Sequence, residues 1–241
     1  MVLIVRYAIY FTPAPDNLLT KDGSRWLGRD VFTGKLLDPP DALTMPVEQW
    51  RELVAEPRRY GFHATLKAPF ELRQGRTETE LMDAFKAFAA SAMPFEVPRL
   101  VIGQLGPFFA LVPQALHPPL QSFAASVVEA FEPFRAPLSD EDVARRRPER
   151  LTGAQRANLA HWGYPYVMDE FRFHMTLTGP VDSTLSAQVH EELRRRFSAH
   201  HDAPLAVGGL GLFIERSRGE PFIVHHWQPL GVPHDNRKLL P

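Results

Sequence analysis

The sequence predicts an α+β protein with two pseudo-symmetric lobes, each an antiparallel sheet with outer helices, enclosing a central cleft. Three observations favour this fold class. The pattern aromatic-x-Phe-His-x-Thr-Leu occurs at residues 60–66 and again at 171–177. Both copies alternate apolar residues with small, polar or charged ones, which is the period of a β-strand. The same predicted order of one helix and two strands follows each copy, so the repeated motif belongs to a repeated structural unit.

The first lobe is predicted to span residues 1–135. Its first strand runs from Val2 to Phe11 and ends at a turn with two prolines. The long irregular stretch around Trp26 either covers a pocket or packs an aromatic side chain into the core. The other predicted elements are a helix at 47–55 closed by Pro57, the motif strand at 60–66, a helix at 77–92 with a capping box, strands at 95–102 and 107–112, and a helix at 118–131.

The second lobe, residues 136–241, begins within the region from Pro133 to Pro137, which marks the boundary between the two lobes of one bilobed domain. Its predicted elements are a charged helix from 139, a helix at 151–160, the motif strand at 171–177, a helix from 183 or 184 to 200, and strands at 204–207, 211–215 and 221–227. The tail after Pro229 has no periodicity.

Composition and charge exclude several function classes. The 241 residues carry a net charge of −1, whereas domains that grip long nucleic acid usually show a clear basic excess. No apolar run is long enough to cross a bilayer, and the opening residues resemble a strand more than a signal peptide, so we expect a cytoplasmic protein. The absence of cysteine excludes disulfides, zinc-thiolate sites and thiol nucleophiles.

The polar face of the repeated strand indicates the chemistry. His63 and Thr65 share one face of the first copy, and His174 and Thr176 share the equivalent face of the second. One neutral and one protonated imidazole can serve as base and acid at neutral pH, which is what phosphodiester cleavage requires. The hydroxyls are placed to donate to phosphoryl oxygens. This scheme needs no metal and no cofactor.

Three longer segments carry a family resemblance. They are Pro-Arg-Arg-Tyr-Gly-Phe-His-Ala-Thr-Leu-Lys at 57–67, Trp-Gly-Tyr-Pro-Tyr at 162–166 and Phe-Arg-Phe-His-Met-Thr-Leu-Thr at 171–178. The chain resembles the two-histidine (2H) phosphoesterase superfamily, and within it a branch of phosphonate-metabolism proteins. Members of the superfamily act on cyclic phosphates and related phosphodiesters. For this branch the resemblance implies an association with the use of organophosphonates.

Carried over residue by residue, the resemblance assigns the general acid and base roles to His63 and His174. Thr65 and Thr176 become the contacts to the phosphate. Which histidine is the acid is left open at this point.

Four further residues are candidate substrate contacts. Lys67 shares the strand face of His63, and Arg172 shares that of His174, so either could neutralise phosphate or simply be solvated. Tyr164 and Tyr166 could stack against a base or sugar, or pack into the core.

Other basic and histidine clusters favour no separate site. The groups at 145–147 and 194–196 are typical of solvated helical faces, while Arg58 and Arg59 are of more interest because they precede the first motif. The histidine pairs at 200–201 and 225–226 predict no metal site, since adjacent strand residues point in opposite directions.

The leading hypothesis is therefore a metal-independent phosphodiesterase that opens a small cyclic or nucleotide-like phosphodiester, for example a ribose cyclic phosphate. One alternative is an RNA-end cyclic phosphodiesterase, against which the balanced charge counts. A second is a protein that binds phosphate or phosphonate without chemistry, a task that arginine would serve better than histidine. The physiological substrate, the regiochemistry of opening and the oligomeric state are left open.

Overall fold

The computed structural model of the chain describes residues 4–231. The strands are β1 (Arg6–Phe11), β2 (Ala64–Phe70), β3 (Phe95–Val97), β4 (Leu100–Leu105), β5 (Phe108–Pro113), β6 (Met175–Thr176), β7 (Leu205–Val207), β8 (Gly209–Glu215) and β9 (Ile223–Pro229). The helices are α1 (Leu18–Leu27), α2 (Val47–Tyr60), α3 (Glu78–Ser91), α4 (Pro118–Phe131), α5 (Asp140–Arg145), α6 (Gly153–Trp162) and α7 (Ser186–Arg196). The part of the predicted first strand at Val2 and Leu3, and most of the predicted tail, lie outside the described residues.

Seven strands form one sheet in the order β4-β5-β6-β2-β1-β8-β9, and β3 pairs with β7 in a second, two-stranded sheet. Every pair of neighbouring strands is antiparallel. The two motif strands, β2 and β6, are neighbours near the middle of the large sheet, where Ala64 pairs with Met175. The predicted α+β class with antiparallel strands is confirmed.

The repeated unit is also present. In each half a motif strand leads into a helix, a short strand and a hairpin: β2-α3-β3-β4-β5, then β6-α7-β7-β8-β9. The two lobes share their sheet, because the β4–β5 hairpin of the first half flanks β6, and β8 of the second half flanks β1. The large sheet therefore draws strands from both sides of the predicted boundary near residue 135, and the boundary itself stays a prediction.

Local signals explain several helix boundaries. Thr77 accepts from the backbone of Glu80 and the Glu80 carboxylate accepts from the backbone of Thr77, which forms the predicted capping box of α3. Helix α6 begins with the same arrangement at Thr152 and Gln155.

Several local predictions were wrong. The motif strands begin at Ala64 and Met175, four residues later than predicted, and the strand predicted at 95–102 is divided into β3 and β4. The stretch predicted to be irregular contains α1, which Asn17 caps through its side chain and Gly28 ends in the left-handed region. Helix α2 does not stop before Pro57 but continues to Tyr60. Gly61 ends it with φ +77°, and a Cβ there would lie 2.4 Å from a Val31 methyl, so the position requires glycine.

The core lies between the sheet and its helices and includes two fully buried tryptophans, Trp26 and Trp50. No helix within residues 4–231 has both the length and the apolar character needed to span a bilayer.

Candidate active site

Both motif histidines and both motif threonines line one cavity of about 350 Å³. They meet there because His63 and His174 immediately precede the paired residues Ala64 and Met175 of the adjacent strands β2 and β6. The other residues that line the cavity are Arg6, Tyr10, Glu56, Pro57, Tyr60, Gly61, Ala68, Pro69, Phe108, Arg146, Tyr164, Thr178, Gly179 and Pro180.

His63 is held in one orientation by its own backbone and by aromatic rings. Its Nδ1 lies 2.9 Å from the carbonyl oxygen of Gly61, and because a carbonyl can only accept, Nδ1 carries the proton. In the neutral ring the lone pair is therefore on Nε2, to which the Thr65 hydroxyl can donate over 3.3 Å. The Tyr10 ring stacks on the imidazole, with centroids 4.0 Å apart and planes inclined by 26°.

His174 repeats this arrangement. Its Nδ1–H donates to the carbonyl of Arg172 over 2.8 Å, again two residues earlier in the chain. Its Nε2 is likewise the ring nitrogen left for the substrate. One aromatic ring, that of Phe108, lies near it, with centroids 5.8 Å apart. Both histidines thus have the same tautomer in their neutral state, and they differ in how closely aromatic groups enclose them.

That difference appears in their proton affinities. Burial is the main reason why the pKa of His63 is lowered from 6.5 to about 4. The hydrogen bond to Gly61 raises this pKa, and the charge of nearby His174 lowers it further. Burial also lowers the pKa of His174, again partly opposed by its backbone bond. Unliganded, both rings favour the neutral form at pH 7, and a bound phosphate anion would draw protons back onto them.

Two contacts hold the end of the second motif, one to helix α2 and one to helix α1. Pro57 has no N–H, so the carbonyl of Leu53, four residues earlier in α2, lacks its usual helical donor. The N–H of Gly179 donates to that carbonyl over 2.6 Å. In addition, the Trp26 indole donates to the carbonyl of Leu177 over 2.7 Å. Trp26 is buried in the core, so it supports the second motif from behind instead of covering the cleft.

Lys67 does not line the cleft, contrary to the sequence-based prediction. Tyr10 pairs with Thr65 but Ile9 pairs with Lys67, so Leu66 is an extra residue in β2, a β-bulge. The bulge reverses the alternation, and Ala68 takes the place on the cleft wall that Lys67 was expected to occupy.

The Lys67 ammonium instead forms a buried ion pair beneath α4. It donates to the Glu132 carboxylate over 2.8 Å and to the carbonyl of Val128 over 3.1 Å. Burial lowers its pKa and Glu132 opposes that shift. The side chain is 3% exposed, which leaves no access for a substrate.

The other three candidates divide between the cleft and the surface. Tyr164 lines the cavity, and its role as a substrate contact stays a prediction. Tyr166 is exposed and packs edge-on against Tyr164 at 5.6 Å, outside the cavity lining. Arg172 is also exposed and outside the lining, because regular strand pairing begins only at Met175 and the expected alternation does not hold before it.

Four side chains of the cavity wall that the sequence did not indicate bear on the chemistry. Tyr10 and Phe108 place aromatic rings against the two histidines. Arg6 reaches the wall from β1, and Arg146 from the segment that joins the two halves, where its guanidinium lies 4.9 Å above the Tyr164 ring. Their only signal in the sequence is residue type, since their position depends on strand pairing and on the packing of a connecting segment.

The histidine pairs outside the motifs bind two carboxylates, a backbone N–H and a side-chain amide. His200 lies 2.8 Å from a carboxylate oxygen of Asp22, and His225 lies 2.8 Å from one of Glu78. Within the described part of the chain, no three histidine, aspartate or glutamate side chains are grouped as metal ligands.

Comparison with known families places the chain in one of them. Residues 65–223, which include the second motif and Thr65 of the first, match the family described as "Protein of unknown function (DUF1045)". The chain belongs to this family.

Two curated relatives are similar to this DUF1045 member over most of its length. One, from Janthinobacterium sp. (strain Marseille), is 34% identical over 247 residues, which covers 97% of this chain and 54% of the relative. The other, from Laribacter hongkongensis (strain HLHK9), is 33% identical over 222 residues, covering 90% of this chain and 50% of the relative. Both are named ribose 1,5-bisphosphate phosphokinase PhnN. The DUF1045 chain spans about half the length of these relatives.

Solved structures show a more distant similarity. The crystal structure of E. coli LigT complexed with 3′-AMP covers 95% of the DUF1045 chain and 99% of LigT, with 12% identity and a TM-score of 0.42. A crystal structure described as a phosphoesterase covers 94% and 98%, with 15% identity and a TM-score of 0.43.

Proposed function

We propose that this protein hydrolyses a small cyclic phosphodiester, with His63 and His174 as the general base and acid. The observation that carries the proposal is the matched pair of histidines in one cavity. Each donates Nδ1–H to a carbonyl two residues earlier, so each turns Nε2 to the cleft, and each has a threonine two residues later on the same wall. A pair of oriented imidazoles is what general acid–base transfer at phosphorus requires.

We assign the base role to His63. Its ring is the more enclosed by aromatic groups, which disfavours the charged form, so Nε2 is available to accept a proton. Among residues 4–231, His174 has one aromatic neighbour, Phe108, and it is the better placed to hold a proton when a phosphate anion lies beside it. Each such transfer contributes on the order of 10²–10⁴-fold to the rate.

The proposed reaction consumes one water molecule, and proton exchange with solvent afterwards restores neutral His63 and protonated His174. Nε2 of His63 takes a proton from water as the water oxygen bonds to phosphorus. The bond from phosphorus to the leaving sugar oxygen breaks, and His174 gives that oxygen its proton. The product is a phosphate monoester with a free hydroxyl. Hydroxyls of Thr65 and Thr176 donate to the phosphoryl oxygens as charge redistributes, which is the electrostatic stabilisation expected at such a centre.

A ribose cyclic phosphate from phosphonate breakdown is the substrate class we favour. The phosphonate context comes from the family resemblance of the sequence, and the relatives' name refers to a ribose bisphosphate. The kinase activity in that name is not proposed for this chain. Its sequence contains no Gly-x₄-Gly-Lys-Ser/Thr phosphate loop, and the relatives extend well beyond the matched region.

The test is turnover of ribose 1,2-cyclic phosphate and of adenosine 2′,3′-cyclic phosphate by purified protein, followed by phosphorus NMR in the presence of chelator. We expect one monoester product from at least one compound, and a loss of at least 10²-fold in kcat in His63→Ala and in His174→Ala. Circular dichroism should be unchanged in both variants. His161→Ala, at an exposed histidine outside the cavity, is the matched control and should retain activity.

Two other outcomes would redirect the proposal. Faster turnover of an oligonucleotide with a cyclic end than of either small compound would favour an RNA-end enzyme. Tight binding of the cyclic phosphates without any product after long incubation would favour a binding protein. Full activity in either histidine variant would contradict the acid–base assignment.

A further inference from the structure

A second cavity, of about 700 Å³, adjoins the histidine cleft. The two cavities share four wall residues: Arg6, Tyr60, Pro69 and Arg146. Five arginines line the second cavity, more than any other residue type: Arg6, Arg59, Arg145, Arg146 and Arg218. A ligand bound between the histidines could therefore extend past Arg6 and Arg146 without leaving the protein.

Positive charge is concentrated where the two cavities meet. Arg6 and Arg59 both bind Glu215, whose side chain is fully buried, so one carboxylate serves two guanidinium groups. Arg146 makes no ion pair with any carboxylate among residues 4–231 and rests instead on the Tyr164 ring. Three arginines thus face a single negative charge at this end of the cavity.

The other charged residues of the second cavity are balanced differently. Arg218 binds Asp142 over 2.8 Å and Glu71 over 2.9 Å, and Arg145 lies 3.1 Å from both Glu141 and Asp142. Three carboxylates accompany these two arginines, so this group has a net charge of −1. The imbalance therefore directs a negative group towards the junction with the cleft.

We propose that Arg6, Arg59 and Arg146 form a subsite for a second phosphate group on the substrate, a phosphate monoester separate from the cyclic diester held between the histidines. Guanidinium groups suit this ligand because they donate paired N–H bonds to phosphate oxygens and remain charged at all relevant pH values. Arg6 and Arg59 are fixed by the buried carboxylate, whereas Arg146 is exposed and can adjust to the ligand. The inference deepens the proposed function and rests on it for the position of the diester.

The turnover test compares adenosine 2′,3′-cyclic phosphate bearing a 5′-hydroxyl with the same compound bearing a 5′-phosphate. We expect kcat/KM to be roughly tenfold or more higher for the 5′-phosphorylated compound, as charged hydrogen bonds of this kind imply. Arg146→Gln should remove most of that preference. Arg150→Gln makes the same charge change on an exposed residue of the same segment that lines neither cavity, and should keep it.

A binding measurement separates the subsite from the chemistry. Ribose 5-phosphate, which has no diester, should bind the wild-type protein in calorimetry and bind Arg146→Gln roughly tenfold more weakly, with Arg150→Gln unchanged. If neither cyclic compound is opened but this Arg146-dependent binding is found, the proposed function fails and the subsite stands. The subsite is overturned if the wild type has equal kcat/KM for the two cyclic compounds. It is also overturned if Arg146→Gln binds ribose 5-phosphate as tightly as the wild type does.

Discussion

The Tyr10 ring lies flat against the imidazole of His63, with ring centroids 4.0 Å apart. Tyr10 is 1% exposed and comes from β1, the strand that pairs with β2 beside the first motif. The hydrogen bond from Nδ1 to the Gly61 carbonyl leaves the imidazole free to rotate about that bond, and the stacked Tyr10 ring limits this rotation. Tyr10 is therefore a positioning residue for the proposed base.

Tyr10→Leu should lower kcat roughly 10- to 100-fold, because a misplaced proton acceptor loses much of its effect, while KM changes little. Tyr10→Phe retains the ring and should rescue kcat to within a few-fold of the wild type. Steady-state kinetics on an accepted cyclic phosphate measure both. Equal losses of kcat in the two variants would contradict a role for stacking and would assign the effect of Tyr10 to its hydroxyl.

The pH dependence of kcat/KM should be bell-shaped with an acidic optimum. The base His63 must be unprotonated, so activity should rise as the pH rises through about 4. The acid His174 must be protonated, so activity should fall as the pH rises through its pKa, which burial lowers from the ordinary value of 6.5. Initial rates at low substrate concentration from pH 3.5 to 9 measure the profile. Activity that continues to climb above pH 7 would contradict this pair of roles.

Lys67→Met should reduce stability without affecting catalysis. The substitution removes a buried ion pair and leaves the Val128 carbonyl without its donor, which we expect to cost about 2 kcal/mol in the free energy of unfolding. The kcat/KM value should stay within about twofold, since Lys67 does not reach the cleft. Thr65→Val, two residues earlier in the same strand, should lower kcat/KM and leave the free energy of unfolding nearly unchanged. Urea denaturation measures the stability of both variants, and steady-state kinetics measure their kcat/KM values.

Glu192→Gln should be the more severe stability variant. The Glu192 side chain is fully buried, accepts from the Thr44 hydroxyl over 2.7 Å and binds Arg195 and Arg196. Removing its charge leaves two arginines without their partner, at a cost of about 3 kcal/mol in the free energy of unfolding. Glu191→Gln, at the exposed neighbouring position, is the control and should change stability by less than about 0.5 kcal/mol. Similar urea midpoints for the two variants would contradict the prediction.

The centre of the site was predictable because its pattern is local. Alternation within seven residues is enough to place a histidine and a threonine on one face, and the repetition of that pattern indicates that the two faces work together. The repeated order of strand, helix and further strands was predictable for the same reason. Capping signals such as Thr77 with Glu80 also lie within one helical turn.

The surroundings of that centre depend on contacts between distant residues. The bulge that turns Lys67 away from the cleft is set by its register with β1, more than fifty residues earlier. Arg195 and Arg196 looked like a solvated helical face, yet they bind a buried carboxylate and the carbonyls of Ala42 and Asp41. Helix α1 was missed although Asn17 and Gly28 mark its ends, because its large apolar residues stand only at those ends, at 18–19 and 26–27, with polar residues and a glycine between them.

The place of β1 between β2 and β8 has a consequence for biosynthesis. One edge of β1 pairs with β2, but its other edge must wait for Gly209–Glu215, about two hundred residues later in translation. At ordinary ribosomal speeds that interval is roughly ten to forty seconds. During it, Ala8–Phe11 presents an apolar strand edge that is open to wrong partners. Nascent chains should therefore depend on chaperones until β8 is synthesised, and the histidine pair can form only once β6 has been made.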